Sequence, residues 1–162
     1  IVKENFDRIK CFIANDNSIG QLILSGKIEE LEKFSSLLKD QKIKNIKLPV
    51  SAPFHCELMS QATLKMRNII NEQSIILPKY NVVSNVSAIE YKSSEEIRHL
   101  LIKQIESPVR WRESVLYMIE QGSSIFVEIG PGKVLSGLIK RINKDVKVLN
   151  VDKLEDIQSI DI

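Results

Sequence analysis

The chain has two histidines, His55 and His99, and histidine can act as a general base near neutral pH without a large pKa shift. His55 follows a proline-bounded connector at 48–53 and precedes a predicted helix that begins near Cys56. At a helix N-terminus the dipole disfavours an imidazolium, so we expect a neutral, proton-accepting ring. From spacing alone, a packing or capping role for His55 is an open alternative. We expect His99, on a charged helix, to be a solvated surface residue.

A histidine base needs a nucleophile, and no residue pattern in this sequence supplies one. The strand-to-helix elbow G-x-S-x-G, which exposes a catalytic serine, does not occur. Cys56 is adjacent to His55, but neighbouring residues on a helix point in different directions, so we expect no Cys–His dyad. The turn at 130–133 lacks the residues that a phosphate-binding loop needs. The sequence therefore favours a tight strand-to-helix turn there, in which glycines allow close packing.

The composition indicates one soluble domain or a large piece of one. The 162 residues are 43% hydrophobic and 27% charged, and the net charge of +2 is too small to indicate a nucleic-acid partner. Cys11 and Cys56 have no C-x-x-C or Cys/His ligand spacing, which predicts a reducing compartment and no metal site. No apolar run approaches the roughly 20 residues that span a bilayer. We therefore expect a cytoplasmic protein with no membrane partner.

The first part of the chain is predicted to form strand, strand, helix and strand. Apolar runs at 10–14 and 21–25 flank a cluster of turn-forming residues at 15–20. Helical spacing of apolar residues over 28–38 predicts a helix, and alternation over 43–48 predicts a strand. This order matches the second half of a β-α-β-β-α-β unit, whose first strand and helix would precede the chain. The absence of those elements should leave apolar surface uncovered.

After the connector, helices and strands alternate along the chain. The predicted elements are a helix at 58–70, a short strand at 82–83, helices at 93–104 and 111–120, a strand at 124–129, a helix at 135–142 and a last strand at 146–151. This alternation predicts an α/β fold with a mainly parallel sheet covered by helices.

Five sequence blocks follow one another along the chain. They are NSIGQLILSG at 17–26, PVSAPFHCELM at 49–59, SNV at 84–86, QIESPVRW at 104–111 and EIGPGKVL at 128–135. In this order they resemble the blocks of malonyl-CoA:acyl-carrier-protein transacylases, over nearly the whole chain but only the C-terminal half of the family's length. The resemblance implies an α/β hydrolase-like large subdomain with an inserted ferredoxin-like small subdomain, both incomplete because the N-terminal half is missing. Residues 1–52 would then belong to the small subdomain and 53–162 to the large one.

The resemblance implies an acyltransferase of fatty acid biosynthesis, and hence of lipid metabolism. Such an enzyme transfers malonyl from coenzyme A, through a malonyl-serine ester, to the phosphopantetheine thiol of acyl carrier protein. His55 aligns with the general base, and Gln104 aligns with the residue whose main-chain carbonyl fixes the imidazole tautomer. Phe54, Asn17 and Gln21 are the implied substrate-binding residues; a large residue at position 54 favours malonyl over methyl-branched groups. Malonyl-CoA is a substrate, and no cofactor or metal is expected.

The resemblance also implies what the chain lacks. The serine elbow, the arginine that binds the malonyl carboxylate and the oxyanion-hole donors belong to the family's N-terminal half, so the chain alone should be inactive and that half is an expected partner. Acyl carrier protein is another partner, docked by Lys133, Lys140, Arg141 and Lys144 unless these form only a solvated helix face. Two alternatives stay open: a non-catalytic carrier-protein-binding module, or an acyltransferase domain of a multidomain polyketide or fatty acid synthase.

Overall fold

The structure, a computed structural model, describes residues 9–158. The strands are β1 (Cys11–Ser18), β2 (Gln21–Gly26), β3 (Ile125–Ile129) and β4 (Lys147–Val151); the helices are α1 (Ile28–Asp40), α2 (Ser60–Glu72), α3 (Ser94–Gln104), α4 (Trp111–Glu120), α5 (Val134–Ile142) and α6 (Leu154–Gln158), with a 3₁₀ turn at Glu57–Met59. Among these residues the strands form two separate two-stranded sheets, β1–β2 antiparallel and β3–β4 parallel. The α/β class is as expected. The pair β3–β4, after the connector, is parallel, as the alternation of strands and helices there predicts, whereas the hairpin connection makes β1 and β2 antiparallel.

The hairpin of β1 and β2 has a tighter turn than the sequence predicts. Pairing continues as far as Ser18 opposite Gln21, so most of the predicted turn region at 15–20 is strand. The two-residue connection ends in Gly20, whose φ of 78° is left-handed and free of steric cost for glycine. Asn17 and Gln21 therefore lie at the closed end of the hairpin.

The strand predicted at 43–48 is not formed. This segment is irregular, and it follows α1, which packs on the hairpin through a buried cluster of Phe34 and Cys11. Asn45 gives the physical reason, because its Oδ1 accepts a hydrogen bond from Ser35 Oγ at 2.6 Å. The segment is thus held against α1 rather than beside a strand.

The second part of the chain contains a parallel strand-helix-strand unit. β3, α5 and β4 follow one another, and Val115, Ile139 and Val146 form a buried cluster between this unit and α4. α3 and α4 match the helices predicted from the sequence to within one residue. The predicted strand at 82–83 is reduced to a single bridge between Val83 and Glu90.

The N-terminus of α5, just after the turn at 130–132, is occupied by an internal carboxylate rather than open to an anion. Glu128 accepts hydrogen bonds from the N–H groups of Leu135 at 3.0 Å and Ser136 at 2.8 Å, in the first turn of α5. Asn150 Nδ2 also donates to it at 3.1 Å. The hydroxyl of Ser136, which donates at 2.5 Å, is the main cause that lowers the pKa of Glu128. A phosphate would have to displace this anion, so the structure favours the tight-turn interpretation.

Large apolar side chains are exposed in both parts of the chain. In the first part, where the sequence predicts uncovered apolar surface, Leu22 is 41% exposed and Ile28 is 64% exposed; in the second, Ile129 is 80% exposed and further large apolar side chains are exposed on α2. None of the helices within residues 9–158 is long and apolar enough to cross a bilayer.

Candidate active site

His55 lies in a short loop between the proline-bounded connector and the 3₁₀ turn. Its φ of 61° is left-handed, which is uncommon for a non-glycine residue. The α-helix expected to begin near Cys56 begins at Ser60, after the 3₁₀ turn, and the dipole acts mainly over a helix's first turn. The dipole therefore contributes less to a neutral ring than the sequence predicts. His99 is exposed on α3, as expected.

The imidazole is oriented by the last residue of α3. His55 Nδ1 lies 3.1 Å from the main-chain oxygen of Gln104, which can only accept, so we assign the proton to Nδ1. The side-chain amide nitrogen of Gln104 also lies 3.3 Å from Nδ1, but a protonated Nδ1 cannot accept its hydrogen. That amide instead donates to the Ser107 carbonyl at 3.3 Å. His55 Nε2 is then the basic atom, and no group in residues 9–158 forms a hydrogen bond with it.

His55 borders two clefts. The first, of about 550 Å³, lies between α2 and α3; apart from His55 and Gln104 its lining is apolar and includes Phe54, Met66 and Leu101. The second, of about 480 Å³, reaches the start of β1 and contains two carboxylates. The first cleft therefore gives the His55 loop an apolar side, and the second brings the carboxylates of Glu57 and Glu106 to the same loop.

Both cysteines are poor candidates for the nucleophile. Cys11 and Cys56 are free and buried, and burial raises the pKa of both thiols. The Sγ of Cys56 donates to the Pro53 carbonyl at 3.1 Å. A neutral, buried thiol is a weak nucleophile and a weak metal ligand. Among the described residues, no group of three or more His, Cys, Asp and Glu side chains could hold a metal ion.

The three expected substrate-binding residues lie in different surroundings. Phe54 lines the apolar cleft beside His55, and it is 45% exposed. Asn17 and Gln21, at the closed end of the hairpin, line neither of the two clefts that His55 borders. The structure thus places Phe54 in a cleft with His55 and places Asn17 and Gln21 outside both clefts.

Two of the basic residues considered for docking have partners within the fold. Arg141 Nη1 donates to Gln21 Oε1 at 2.5 Å, which joins α5 to the hairpin. Lys140 Nζ donates to the Val146 carbonyl at 2.5 Å, at the end of α5. Reversing these two charges would disturb internal contacts as well as any contact with a carrier protein.

Four of the five sequence blocks meet around the His55 loop. The contact between His55 and Gln104 joins two of them, and a third is joined by Ser25, whose hydroxyl donates to the carbonyl just before His55 at 2.6 Å. Arg110, in the same block as Gln104, donates its N–H to the Asn85 carbonyl of a fourth block at 2.9 Å. The blocks are thus neighbours in space as well as matches in sequence.

Two contacts that hold the elements around His55 together could not be predicted from the residue patterns. Ser25 lies inside a matched block but contacts the loop across 29 positions of sequence. Arg112 holds Asp16 in a two-pronged ion pair, with Nε at 3.0 Å and Nη2 at 2.7 Å from Oδ2, and so joins α4 to β1. Such long-range pairs leave no local spacing that a sequence pattern could reveal.

Comparison with known proteins gives consistent matches. The chain is 42% identical over 147 residues to the malonyl CoA-acyl carrier protein transacylase of Bacillus subtilis, covering 90% of this chain and 46% of that protein. The crystal structure of the Clostridium perfringens malonyl CoA-acyl carrier protein transacylase matches with a TM-score of 0.90 and 40% identity, over 98% of this chain and 50% of that one. A type II PKS acyl-carrier protein in complex with its malonyl-transacylase matches with a TM-score of 0.90 and 35% identity, over 97% of this chain and 51% of that one. No family model matches.

These matches confirm the resemblance that the five blocks indicate. Curated relatives at about 40% identity cover nine tenths of the chain, and the structural neighbours are the same kind of enzyme. The chain spans about half the length of the curated relatives it matches.

Proposed function

We propose that this chain supplies the general base of the malonyl-transfer reaction. The chain matches about half the length of the malonyl CoA-acyl carrier protein transacylases. The reaction moves a malonyl group from coenzyme A to the phosphopantetheine thiol of acyl carrier protein. The observation that carries the proposal is the 3.1 Å contact between His55 Nδ1 and the Gln104 carbonyl, which leaves Nε2 without a hydrogen-bond partner among residues 9–158.

In the proposed first half-reaction, His55 Nε2 takes the proton of a serine hydroxyl while the serine oxygen attacks the malonyl thioester. The carbon–sulfur bond breaks, and the imidazolium returns the proton to the departing coenzyme A thiolate. In the second half-reaction, Nε2 takes the proton of the carrier thiol, whose sulfur attacks the serine ester, and then returns it to the serine oxygen. Throughout, the Gln104 carbonyl accepts Nδ1–H and stabilises the imidazolium, as the carboxylate does in a catalytic triad.

The rest of the machinery is proposed to come from the half of the family fold that this chain does not match, which we take to be the N-terminal half. That half would bring the serine elbow, a malonyl-binding arginine and the oxyanion-hole donors. Two observations support this: the sequence contains no G-x-S-x-G, and apolar side chains line an open cleft between α2 and α3 beside His55. We propose that the other half packs over this cleft and that the chain alone is inactive.

The subdomain division is also a proposal. The cluster around Phe34 belongs to the hairpin and α1, whereas the cluster around Val115 lies between α4 and the strand-helix-strand unit. Two separate cores support residues 1–52 as part of a ferredoxin-like small subdomain and residues 53–162 as part of an α/β hydrolase-like large one.

Phe54 is proposed to favour malonyl over methyl-branched acyl groups. Its ring lines the cleft next to the base, so a methyl group on the carbon beside the thioester would crowd it. Packing discrimination of this kind is worth about 1 to 3 kcal/mol. Asn17 and Gln21 lie outside both clefts that His55 borders, and we propose that they contact the coenzyme A or carrier-protein portion of the substrates.

The proposal is tested by joining this chain to the part of the Bacillus subtilis relative that it does not match, and measuring malonyl transfer to acyl carrier protein by mass spectrometry of the carrier. We expect the fusion to be active and the chain alone to be inactive. His55→Ala in the fusion should lower kcat by about 10²- to 10⁴-fold. His99→Ala, which removes the exposed histidine, is the matched control and should leave kcat unchanged.

Two results would contradict the proposal. One is malonyl transfer by the chain alone. The other is a fusion that folds, as judged by circular dichroism and cooperative unfolding, but shows no transfer or shows the same kcat with and without His55.

A further inference from the structure

We propose that Ser25 is a positioning residue for the base: its hydroxyl, held on β2, fixes the peptide plane between Phe54 and His55. The proposal rests on the proposed function for its catalytic consequence, but not for its structural claim. It begins from the backbone of His55, whose φ of 61° lies in the left-handed region. A non-glycine residue persists there only when surrounding contacts hold it.

Few side-chain contacts hold this backbone. Its main-chain contacts are local: Phe54 N–H donates to the Ala52 carbonyl at 3.0 Å, and the 3₁₀ turn begins at Glu57, two residues after His55. The thiol of Cys56 donates to the Pro53 carbonyl at 3.1 Å, and a thiol is a weak donor. The Ser25 hydroxyl donates to the Phe54 carbonyl at 2.6 Å, the shortest side-chain bond to this loop among the described residues.

The identity of the accepting atom matters. The Phe54 carbonyl and the His55 N–H belong to one planar peptide group, so fixing the carbonyl direction fixes the orientation of that plane. The plane sets φ of His55, and φ sets the direction in which the imidazole leaves the chain. A bond from Ser25 therefore acts on the ring without touching it.

Ser25 is itself firmly placed. It is 8% exposed and pairs with Phe12 across the hairpin. The next residue, Gly26, packs so closely that an added Cβ would lie 3.2 Å from the Lys10 carbonyl oxygen. The hydroxyl thus projects from a rigid strand, while the Gln104 carbonyl holds the ring from the opposite end of the site. Together these two contacts aim Nε2.

The test compares Ser25→Thr with Ser25→Val, a pair of equal shape that differ in whether a hydroxyl is present. Both measurements use the 162-residue chain. The ¹⁵N chemical shifts of the His55 ring report which ring nitrogen carries the proton, and the hydrogen exchange of the amides at 54–56 reports how firmly the loop is held. We expect Ser25→Val to speed that exchange about tenfold, because one buried hydrogen bond is lost. The ring signals should also shift toward a mixture of the two imidazole tautomers. Ser25→Thr should resemble the wild type. Ser18→Ala is the matched control, because Ser18 is a buried hairpin serine whose hydroxyl has no partner in residues 9–158.

A kinetic readout in the fusion separates positioning from simple stability. We expect Ser25→Val to lower kcat about tenfold with the KM for malonyl-CoA unchanged, and Ser25→Thr to restore kcat. If Ser25→Val fails to fold, Ser25→Ala takes its place in both measurements. Wild-type ring shifts and loop exchange in the hydroxyl-free variant would overturn the inference, as would equal effects of Thr and Val. An inactive wild-type fusion would instead count against the proposed function, and the ring shifts would still decide the role of Ser25.

Discussion

The contact between His55 and Gln104 predicts an unusual mutational pattern, in which the side chain of Gln104 matters little. Its main-chain carbonyl orients the imidazole, and Gln104→Ala retains that carbonyl. The hydrogen bond that the substitution removes is the one from the side-chain amide to the Ser107 carbonyl, which is long at 3.3 Å. Such a bond is worth at most about 1 kcal/mol, so we expect kcat of the fusion to fall by no more than about fivefold.

Weakening the carbonyl itself should do more. Replacing Ile105 by its α-hydroxy acid turns the peptide after Gln104 into an ester, whose carbonyl is a poorer acceptor for His55 Nδ1–H. We expect kcat to fall at least about tenfold, because the hydrogen bond to the Gln104 carbonyl is stronger for the imidazolium than for the neutral imidazole. The same replacement at Lys103 is the control, since it also removes one helical N–H near the end of α3 but leaves the Gln104 carbonyl an amide.

The assay is malonyl transfer by the fusion, in single turnover for the first half-reaction and at steady state for both. A Gln104→Ala variant that loses about 100-fold, or that loses more than the ester at Ile105, would refute the reasoning. The amide side chain would then be the group that orients or activates the ring.

Three further predictions follow from other contacts. Phe54→Ala in the fusion should raise kcat/KM for methylmalonyl-CoA relative to malonyl-CoA by about tenfold, because the ring that crowds a methyl branch is gone; an unchanged ratio would remove Phe54 from specificity. Asp16→Asn should lower the free energy of unfolding in urea by about 1 kcal/mol, because the ion pair with Arg112 is lost, and this decrease should be smaller at high salt. A decrease of the same size at every salt concentration would indicate lost packing instead. Because the folded-state pKa of Glu128 is lowered, its stabilisation is present above the ordinary carboxyl pKa of about 4.3 and is lost as pH falls further, so the Tm gap between wild type and Glu128→Gln should be widest at pH 7 and close in acid.

Local periodicity in the sequence was enough to predict several elements. The helices α3 and α4 follow from apolar spacing and from the Ser107-Pro108 break between them, and their observed bounds agree to within one residue. The general position of the hairpin also follows from its two apolar runs. These features depend on residues that are close in sequence, which is why a pattern of neighbours can predict them.

The five sequence blocks indicated a candidate base and the residue that contacts it before any coordinates. His55 and Gln104 were paired through a family resemblance, and the structure places Nδ1 and the carbonyl oxygen 3.1 Å apart. Asn17 and Gln21 came from the same resemblance, yet they line neither cleft that His55 borders. A match between sequence blocks shows which residues correspond, but not which of them share a cleft.

What the sequence by itself determined is most of the local elements and the choice of His55 as the candidate base. Only the tertiary structure decided that the segment at 43–48 lies against α1, that Glu128 binds the N–H groups at the start of α5, and that Ser25 bonds to the loop of His55. The physical reason is distance along the chain. A helix or strand preference arises among neighbours, whereas a hydroxyl and a carbonyl 29 positions apart meet only when the packing of the whole chain brings their elements together.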